Sequence, residues 1–437
     1  MNIYSNKNII IFGLGITGLS CIDFFISRKV IPKIIDTRKN PPNINKIPSN
    51  IEYYIGGINI NWLSKADLII ISPGITDYVK IIKKYINKNT KIISDLDLFC
   101  QETKVPIIAI TGSNGKSTVT SLLGEMAKQA NIKVGIGGNI GIPVLTLLKK
   151  KYELYVIEIS SFQLEIIMNA RFLAVVILNI TPDHLDKYPK GFVEYQKTKL
   201  KIYKYAKFFV INQNDPLIWP SKNYNYNSYI TYGINSGKYQ LNTKRNQIEI
   251  NNQCIIKISQ IRLIGQHNYL NILASLALAN LAEIPLSAIL QTLKTYNGLP
   301  HRYQLIHNKN NVQWINDSKS TNIGSTIAAI NNLHDITGTI YLLLGGDSKE
   351  TNITLLKPHI LKQNIILYCF GKDGKKFIIL KKNSMFFQTL EECIKNISKN
   401  IRSGDIVLLS PACASFDQFK NFEERGRLFT RLAYKLG

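Results

Sequence analysis

Negative charge is scarce in this chain of 437 residues: 29 Asp and Glu stand against 54 Lys and Arg, a formal charge of +25. Such an excess attracts phosphate without sequence preference. The lysines are nevertheless spread along the whole chain among many Ile, Asn and Tyr, as in proteins of AT-rich genomes, and no basic-aromatic module accompanies them. No nucleic-acid partner is therefore expected. Long apolar runs are also missing: none reaches the ~18 residues that a membrane helix needs, so no membrane insertion is expected. Cysteine is sparse. Cys21, Cys100, Cys254, Cys369, Cys393 and Cys413 show no CxxC pair and no metal-like spacing. They read as reduced thiols filling the core of a protein in a reducing compartment. Met1 to Lys7 are polar and run straight into an apolar strand, so no signal peptide is expected and the cytoplasm is the expected location.

What is present suits a globular protein: 45% apolar and 19% charged residues. The length exceeds one hydrophobic core and suggests two or three domains, with three as the working number. Residues 8–35 read as strand, glycine turn, helix, strand, with Leu19, Ile22, Phe25 and Ile26 at helical spacing. Another strand, Leu68 to Ile71, ends at Ser72-Pro73-Gly74, and the first domain closes near residue 94. A second unit begins with strand Val105 to Ile110 and a helix whose apolar face is Val119, Leu122, Leu123, Met126, Ala127 and Ala130. Strands Leu154 to Ile159 and Ala174 to Ile180 come next, delivering Glu158, Ser160 and Ser161, then Asp183 and His184, at their carboxyl ends, where open α/β sheets bind ligands. Residues 220–257 alternate weakly and read as short strands and loops decorating this domain. A helical pattern from Asn268 to Ala282 leads to the break Gly298-Leu299-Pro300. Beyond it, strands Ile340 to Leu344, Ile365 to Phe370 and Ile406 to Leu409 alternate with helical patterns, a third α/β domain. The expected boundaries are 1–94, 95–298 and 299–437.

Two glycine motifs carry chemistry. Gly112-Ser113-Asn114-Gly115-Lys116-Ser117-Thr118 lies between a strand and an amphipathic helix. Its glycines let backbone N–H groups face phosphate at a helix N-terminus; Lys116 would neutralise the outer phosphates and Ser117 would meet Mg²⁺. The full phosphate-loop spacing would also place a glycine where this chain has Ile110. The second motif, Gly13-x-Gly15-x-x-Gly18 with Asp36 downstream, suits a dinucleotide, another nucleotide diphosphate, or a purely structural turn. With an ATP site already supplied, a nucleotide-bearing substrate is the favoured reading.

Glu158 could hold the Mg²⁺ that bridges ATP and an acceptor oxygen. Position alone leaves His184 open between metal or substrate contact and a structural hydrogen bond. Lys199 reads as an ordinary solvated helix lysine. His301-Arg302 and Asp317-Ser318-Lys319 place charges at a domain junction, as phosphate and ribose contacts or as a surface salt bridge. Gly346-Asp347-Ser348-Lys349 and Ser410 to Ser415 sit at strand ends where a small carboxylate ligand could bind.

These motifs together resemble the Mur ligases over essentially the whole chain: TGSNGKSTVTSLLGEMAK around Lys116, GGNIG around Asn139, EISSFQLE from Glu158, LNITPDHLDKYP around His184, GQHNYLNILA around Asn268, INDSKSTNIGST around Lys319, LLLGGDSK ending at Lys349, and SPACASFDQFKNFEERG around Ser415. The shorter phosphate loop fits that family. The resemblance implies an α/β protein of three domains: N-terminal Rossmann-like, central P-loop ATPase-like with a parallel or mixed sheet, and C-terminal Rossmann-like. It implies a monomeric ATP- and Mg²⁺-dependent ligase that adds D-glutamate to UDP-N-acetylmuramoyl-L-alanine through an acyl phosphate, releasing ADP and phosphate, in peptidoglycan precursor synthesis.

Carried over residue by residue, the resemblance puts Ile16, Thr17, Asp36, Thr37, Arg38, Ser72, Gly74 and Asn139 around the UDP end of the substrate. It puts ATP on the loop Gly112–Thr118 and on Asn268, Asn271, Arg302, Asp317 and Lys319, and the metal on Ser117, Glu158, His184 and a carbamylated Lys199. D-glutamate falls to Thr321, Lys349, Ser415 and Phe422, and catalysis to Lys116, His184 and Lys199. Phe416 stands where the family has leucine. No Asp-Asn-Pro-Arg string of the diaminopimelate-adding members occurs. A folylpolyglutamate synthase or a lysine-adding member is the rival within this chemistry. Outside it stand a nicotinamide oxidoreductase and a nucleic-acid-stimulated ATPase.

Overall fold

The structure, a computed structural model, describes residues 3–220, 229–333, 336–349, 351–361 and 364–437, without the side chains of residues 76 and 77. Its contacts form two compact units: Met1–Asn179 with Gln196–Ile261 and Leu270–Thr295, and Ile180–Tyr195 with Arg262–Tyr269 and Tyr296–Gly437. Among the described residues no helix is long and apolar enough to cross a membrane.

The first unit holds two sheets. One is five-stranded and wholly parallel: β1 (Ile9–Phe12), β2 (Lys33–Asp36), β3 (Tyr53–Ile55), β4 (Leu68–Ile71) and β5 (Lys91–Ser94), in the order β3-β2-β1-β4-β5. The runs IIIF of β1 and LIII of β4 are buried at every residue, as strands covered on both faces require. The chain starts in the middle of this sheet, winds out through β2 and β3, and returns to β4 on the other side of β1. That reversal leaves a crevice at the carboxyl ends of β1 and β4, where parallel sheets take ligands.

The second sheet has nine strands: β6 (Ile107–Thr111), β7 (Val134–Gly138), β8 (Leu154–Glu158), β9 (Phe172–Ile177), β10 (Ala206–Asn212), β11 (Tyr229–Ile234), β12 (Tyr239–Asn242), β13 (Gln247–Ile250) and β14 (Gln253–Lys257). Their order is β14-β13-β12-β11-β10-β9-β6-β8-β7. It is parallel except for the β12–β13 and β13–β14 pairs, so the sheet is mixed. Its switch point lies at β6, between β8 and β9, and the phosphate loop leaves the sheet there. The weakly alternating stretch 220–257 is more than decoration, because β11 to β14 continue this sheet through backbone pairing; its residues 221–228 lie outside the described ones. Both sheets share one unit partly through Asp97, on the helix Asp95–Glu102, whose carboxylate accepts the Met168 and Asn169 amides.

The second unit is built on six strands: β15 (Gln304–Lys309), β16 (Val312–Asn316), β17 (Ile340–Gly345), β18 (Ile365–Phe370), β19 (Met385–Phe387) and β20 (Ile406–Leu409). The order is β15-β16-β20-β17-β18-β19, and only β15 runs antiparallel to its neighbour. Alternate residues face opposite sides. Leu342, Leu344, Leu367 and Leu408 pack with the helix Ile323–Ile330, while Leu343, Tyr368, Val407 and Leu409 pack with the helices Leu390–Ile397 and Phe422–Leu436. Five of the six cysteines are buried, as expected of core filler; Cys254 is exposed, because it lies on the edge strand β14.

Candidate active site

In the first unit, β6 delivers Thr111 to a loop in which Gly112 (φ +148°) and Gly115 (φ +85°) adopt backbone conformations that a side chain would strain. A Cβ on Gly115 would also meet Asn271 Oδ1 at 2.5 Å. The loop is held from behind by Asn179: its carbonyl accepts the Ser113 amide (2.9 Å), its Oδ1 accepts the Asn114 amide (2.9 Å), and its Nδ2 donates to the Asn114 carbonyl (3.1 Å). Lys116, first residue of the helix Lys116–Gln129, curls over the loop and donates to the Gly112 and Ser113 carbonyls at 2.8 and 3.0 Å.

Lys199 reaches the same Gly112 carbonyl at 3.0 Å and is only 1% exposed. The reading of Lys199 as a solvated helix lysine is therefore overturned: the last turn of the helix Phe192–Leu200 points it inward. Glu158, the last residue of β8 and also 1% exposed, accepts the Asn139 side-chain amide on Oε1 at 2.9 Å. Its Oε2 has no partner among the described residues. A buried carboxylate oxygen left bare is costly unless a cation or donor meets it.

The same unit contains a cleft of about 520 Å³ at the switch point of the five-stranded sheet. Ile16, Thr17, Thr37, Arg38, Ser72, Gly74 and Asn139, seven of the eight residues expected at the UDP end, line it. Asp36 lies beneath. Its Oδ2 accepts the Leu14 amide and the Arg38 guanidinium, each at 2.7 Å, and its Oδ1 accepts the Arg38 amide and Nε, each at 2.9 Å. Burial alone would raise the Asp36 carboxyl, but the guanidinium and the amides outweigh it and leave it below the usual range. Asp36 thus holds the glycine turn and Arg38 in place. Gly18 allows the turn to close, since a Cβ there would strike the Gly13 carbonyl.

In the second unit, His184, Lys349 and Asn322 converge on Asp183. Lys349 Nζ lies 3.8 Å from Asp183 Oδ1, Asn322 Nδ2 donates to Oδ2 at 3.2 Å, and the His184 ring is 3.7 Å from Oδ2. Sequence reasoning noted Asp183 at a strand end and gave it no role; its adjacency to His184 was the available signal.

Asp317 follows β16, where burial raises its carboxyl to about 7 against hydrogen bonds from Ser410 Oγ (2.9 Å) and the Tyr303 amide (3.1 Å). Lys319 lies 3.8 Å over the Phe422 ring. Ser415 is buried, Thr321 half-buried, and Phe416 76% exposed. Asn268 donates to the Ile264 carbonyl at 2.8 Å. Burial pushes its neighbour His267 down to about 4, so that ring is neutral at pH 7.

The residue most clearly missed is Arg425. It is 0% exposed and donates to Ser318 Oγ (3.0 Å) and to the Ser318, Cys413 and Gly345 carbonyls (2.8, 3.1 and 3.5 Å). It ties together the loops after β16 and β20 and the last residue of β17. Burial lowers its guanidinium to about 10, which leaves it charged at neutral pH.

The chain matches known proteins over most of its length. Residues 7–94 match the family described as Mur ligase MurD-like, N-terminal domain; residues 110–279 match the Mur ligase middle domain, and 301–413 the Mur ligase glutamate ligase domain. A UDP-N-acetylmuramoylalanine–D-glutamate ligase from Photorhabdus laumondii is 49% identical over 435 residues, 99% of each chain. Among solved structures, a pseudomurein peptide ligase type C from Methanothermus fervidus matches with a TM-score of 0.65 at 20% identity, covering 99% of this chain and 100% of that one. MurF ligase from Thermotoga maritima, solved with ADP, matches with a TM-score of 0.64 at 16% identity, covering 99% and 96%.

Proposed function

The chain belongs to the Mur ligase family, and on that premise we infer what it joins and which residues hold each reactant. It is an ATP-dependent ligase that adds D-glutamate to the peptidoglycan precursor UDP-N-acetylmuramoyl-L-alanine. The observation that carries this reading is full-length identity of 49% to a ligase of that name.

The uridine end of the substrate lies against Thr37 and Arg38, with Asp36 fixing Arg38, and the diphosphate lies on the glycine turn with Ile16, Thr17, Ser72, Gly74 and Asn139. The lining of the cleft by these side chains supports the assignment. ATP phosphates lie on Gly112 to Thr118, with Asn271 beside Gly115. Asn268 serves the adenine, and Arg302, Asp317 and Lys319 serve the ribose and phosphates. D-glutamate is held by Thr321, Lys349, Ser415 and Phe422. The domain boundaries we adopt are 1–94, 95–298 and 299–437.

For magnesium the proposed ligands are Ser117, Glu158, His184 and a carbamylated Lys199. Within the first unit the donor set fits a hard divalent cation: Glu158 offers a buried oxygen with no partner among the described residues, and Ser117 a hydroxyl. Such an ion supplies charge neutralisation on phosphoryl oxygens. Carbamylation would turn the buried Lys199 from a cation into an oxygen donor.

In the first step the L-alanyl carboxylate oxygen attacks the γ-phosphorus, the bond to the ADP oxygen breaks, and an acyl phosphate forms. Lys116 neutralises charge on the phosphoryl group, the dominant requirement of such transfers. The neutral amine of D-glutamate then attacks the acyl carbon; the C–N bond forms, the bond from the acyl carbon to the phosphate oxygen breaks, and the proton lost by nitrogen passes to the departing phosphate or to water. We take the chain to act as a monomer, and free cysteines support a reducing compartment such as the cytoplasm.

The deciding experiment is ADP release with UDP-N-acetylmuramoyl-L-alanine and a panel of amino acids. D-glutamate is expected to drive it, and L-glutamate, diaminopimelate and lysine to leave it at background. Turnover with diaminopimelate or lysine in place of D-glutamate would move the chain to another branch of the family.

A further inference from the structure

Among the described residues, two buried carboxylate oxygens lack any hydrogen-bond partner: Glu158 Oε2 and Asp95 Oδ1. The first has a proposed cation. The second has no assigned role, although Asp95 is 2% exposed and lines the cleft that takes the UDP end of the substrate.

Its neighbours show how unusual this is. Asp97, two residues on and also buried, accepts the Ser94 amide and hydroxyl (2.9 and 2.8 Å) and the Met168 and Asn169 amides (3.0 and 2.8 Å). Asp36 in the same unit accepts four donors. Asp95 lies in the first turn of the helix Asp95–Glu102, so backbone amides there account for part of its carboxylate. One oxygen remains bare, and burial raises the carboxyl to about 7.

The order of the strands says which part of the ligand could reach it. The loops of the cleft leave adjacent parallel strands: Thr37 and Arg38 after β2, the glycine turn after β1, Ser72 and Gly74 after β4, and Asp95 after β5. Three inter-strand steps separate the first from the last, roughly 14 Å at the usual spacing. With uridine at β2 and the diphosphate at the β1 turn, the sugar beyond the diphosphate extends across β4 towards β5. A carboxylate repels the diphosphate but accepts from a hydroxyl or an amide N–H, the neutral donors of an N-acetylated sugar.

We propose that Asp95 is a substrate-binding residue whose carboxylate oxygen Oδ1 accepts a hydrogen bond from a hydroxyl or amide N–H of the N-acetylmuramoyl part of the substrate. The proposal rests on the reading of the cleft as the UDP site, and the test separates the two. Calorimetric titration of the full chain with UDP and with UDP-N-acetylmuramoyl-L-alanine is compared for the wild type, Asp95→Ala, Asp95→Asn and Arg38→Ala.

Asp95→Ala is expected to weaken UDP-N-acetylmuramoyl-L-alanine about tenfold or more, the size of one hydrogen bond to a charged group, and to change UDP less than about twofold. Asp95→Asn, which keeps a carbonyl acceptor, falls between. The ligand-free Asp95→Ala protein is expected to change little in Tm, since relief of the buried oxygen that has no partner is set against loss of the backbone amide bonds to the carboxylate. A purely structural aspartate would behave in the opposite way, with a lower Tm and unchanged substrate affinity, and that result would overturn the proposal. Equal losses for UDP and the sugar-bearing substrate would overturn it too. If Arg38→Ala weakens UDP while Asp95→Ala and Asp95→Asn leave the larger substrate unaffected, this proposal alone falls. If Arg38→Ala leaves UDP binding intact, the cleft reading falls and takes the proposal with it.

Discussion

In the phosphate loop of the first unit, the left-handed positions are Gly112 and Gly115, and Asn179 holds the turn from behind, accepting the Ser113 and Asn114 amides and donating to the Asn114 carbonyl. Around the six-stranded sheet of the second unit glycines such as Gly345, Gly346 and Gly371 are joined in that backbone region by residues with side chains: His301 and Tyr303 before β15, Lys349 after β17 and Ala412 after β20. His184, in the same unit, is another. A left-handed residue that carries a Cβ costs about 1–2 kcal/mol, and such conformations persist only where surrounding contacts fix them. Arg425 supplies part of that fixation by donating to carbonyls of two loops and of the last residue of β17. The phosphate loop has its left-handed geometry from glycine alone; the second region adds left-handed residues with side chains, held in part by a buried cation.

If that contrast is right, single substitutions should split into two kinds. Lys116→Ala is expected to lower kcat on the order of 10³-fold or more while leaving Tm nearly unchanged, because Lys116 donates to carbonyls of its own loop. A quench-flow assay of ADP formation beside a melting curve checks both halves. Arg425→Met should do the reverse at the other site: stability falls by roughly 2–4 kcal/mol as the carbonyls lose their donor, and the KM for D-glutamate rises more than the KM for UDP-N-acetylmuramoyl-L-alanine. Urea unfolding and steady-state kinetics would reveal it, and an Arg425→Met protein of wild-type stability would show that the buried cation does not fix these loops.

The backbone contrast can be read with a pair of substitutions. Gly115→Ala should destabilise by about 1–2 kcal/mol or more, given its φ and the nearby Asn271 Oδ1. Ala412→Gly should be neutral or stabilising by up to about 1 kcal/mol, since relief of strain is set against the extra entropy of the unfolded glycine. The smallest expected effect concerns pH. Asp317, facing Arg302, Tyr303, Ser320 and Ser410, and Asp95, facing Asp97 and Cys21, both have carboxyls raised from 3.8 to about 7 by burial. Each keeps its proton longer when folded, so its contribution to stability is complete below pH ~4 and is lost as the pH climbs towards about 7. Melting curves of ligand-free Asp317→Asn and Asp95→Asn across pH 4 to 8 should show a shallower decline than the wild type.

These contrasts also explain how much could be read from the sequence. Strands such as Leu68–Ile71, Ile365–Phe370 and Ile406–Leu409 were legible residue for residue, because strands buried on both faces are uninterrupted apolar runs. Strands β11 to β14 were legible only as short strands, without bounds or a place in the sheet, since half-exposed strands at the end of a sheet carry weak alternation. The phosphate loop was legible because glycine marks its own geometry. Lys199, Asp183 and Arg425 were not: a charged side chain turned inward looks the same in sequence as one turned to water, and only the fold decides which it is. Asp36 was seen for its position, yet its carboxylate is spent on Leu14 and Arg38 and so acts beneath the cleft.

The most direct test of the central claim is the substrate dependence of phosphate release by the wild-type chain. Phosphate should appear in step with new amide only when ATP, UDP-N-acetylmuramoyl-L-alanine and D-glutamate are all present, one phosphate for each bond. Sustained phosphate release without the UDP-linked acceptor, or driven by nucleic acid alone, would contradict it.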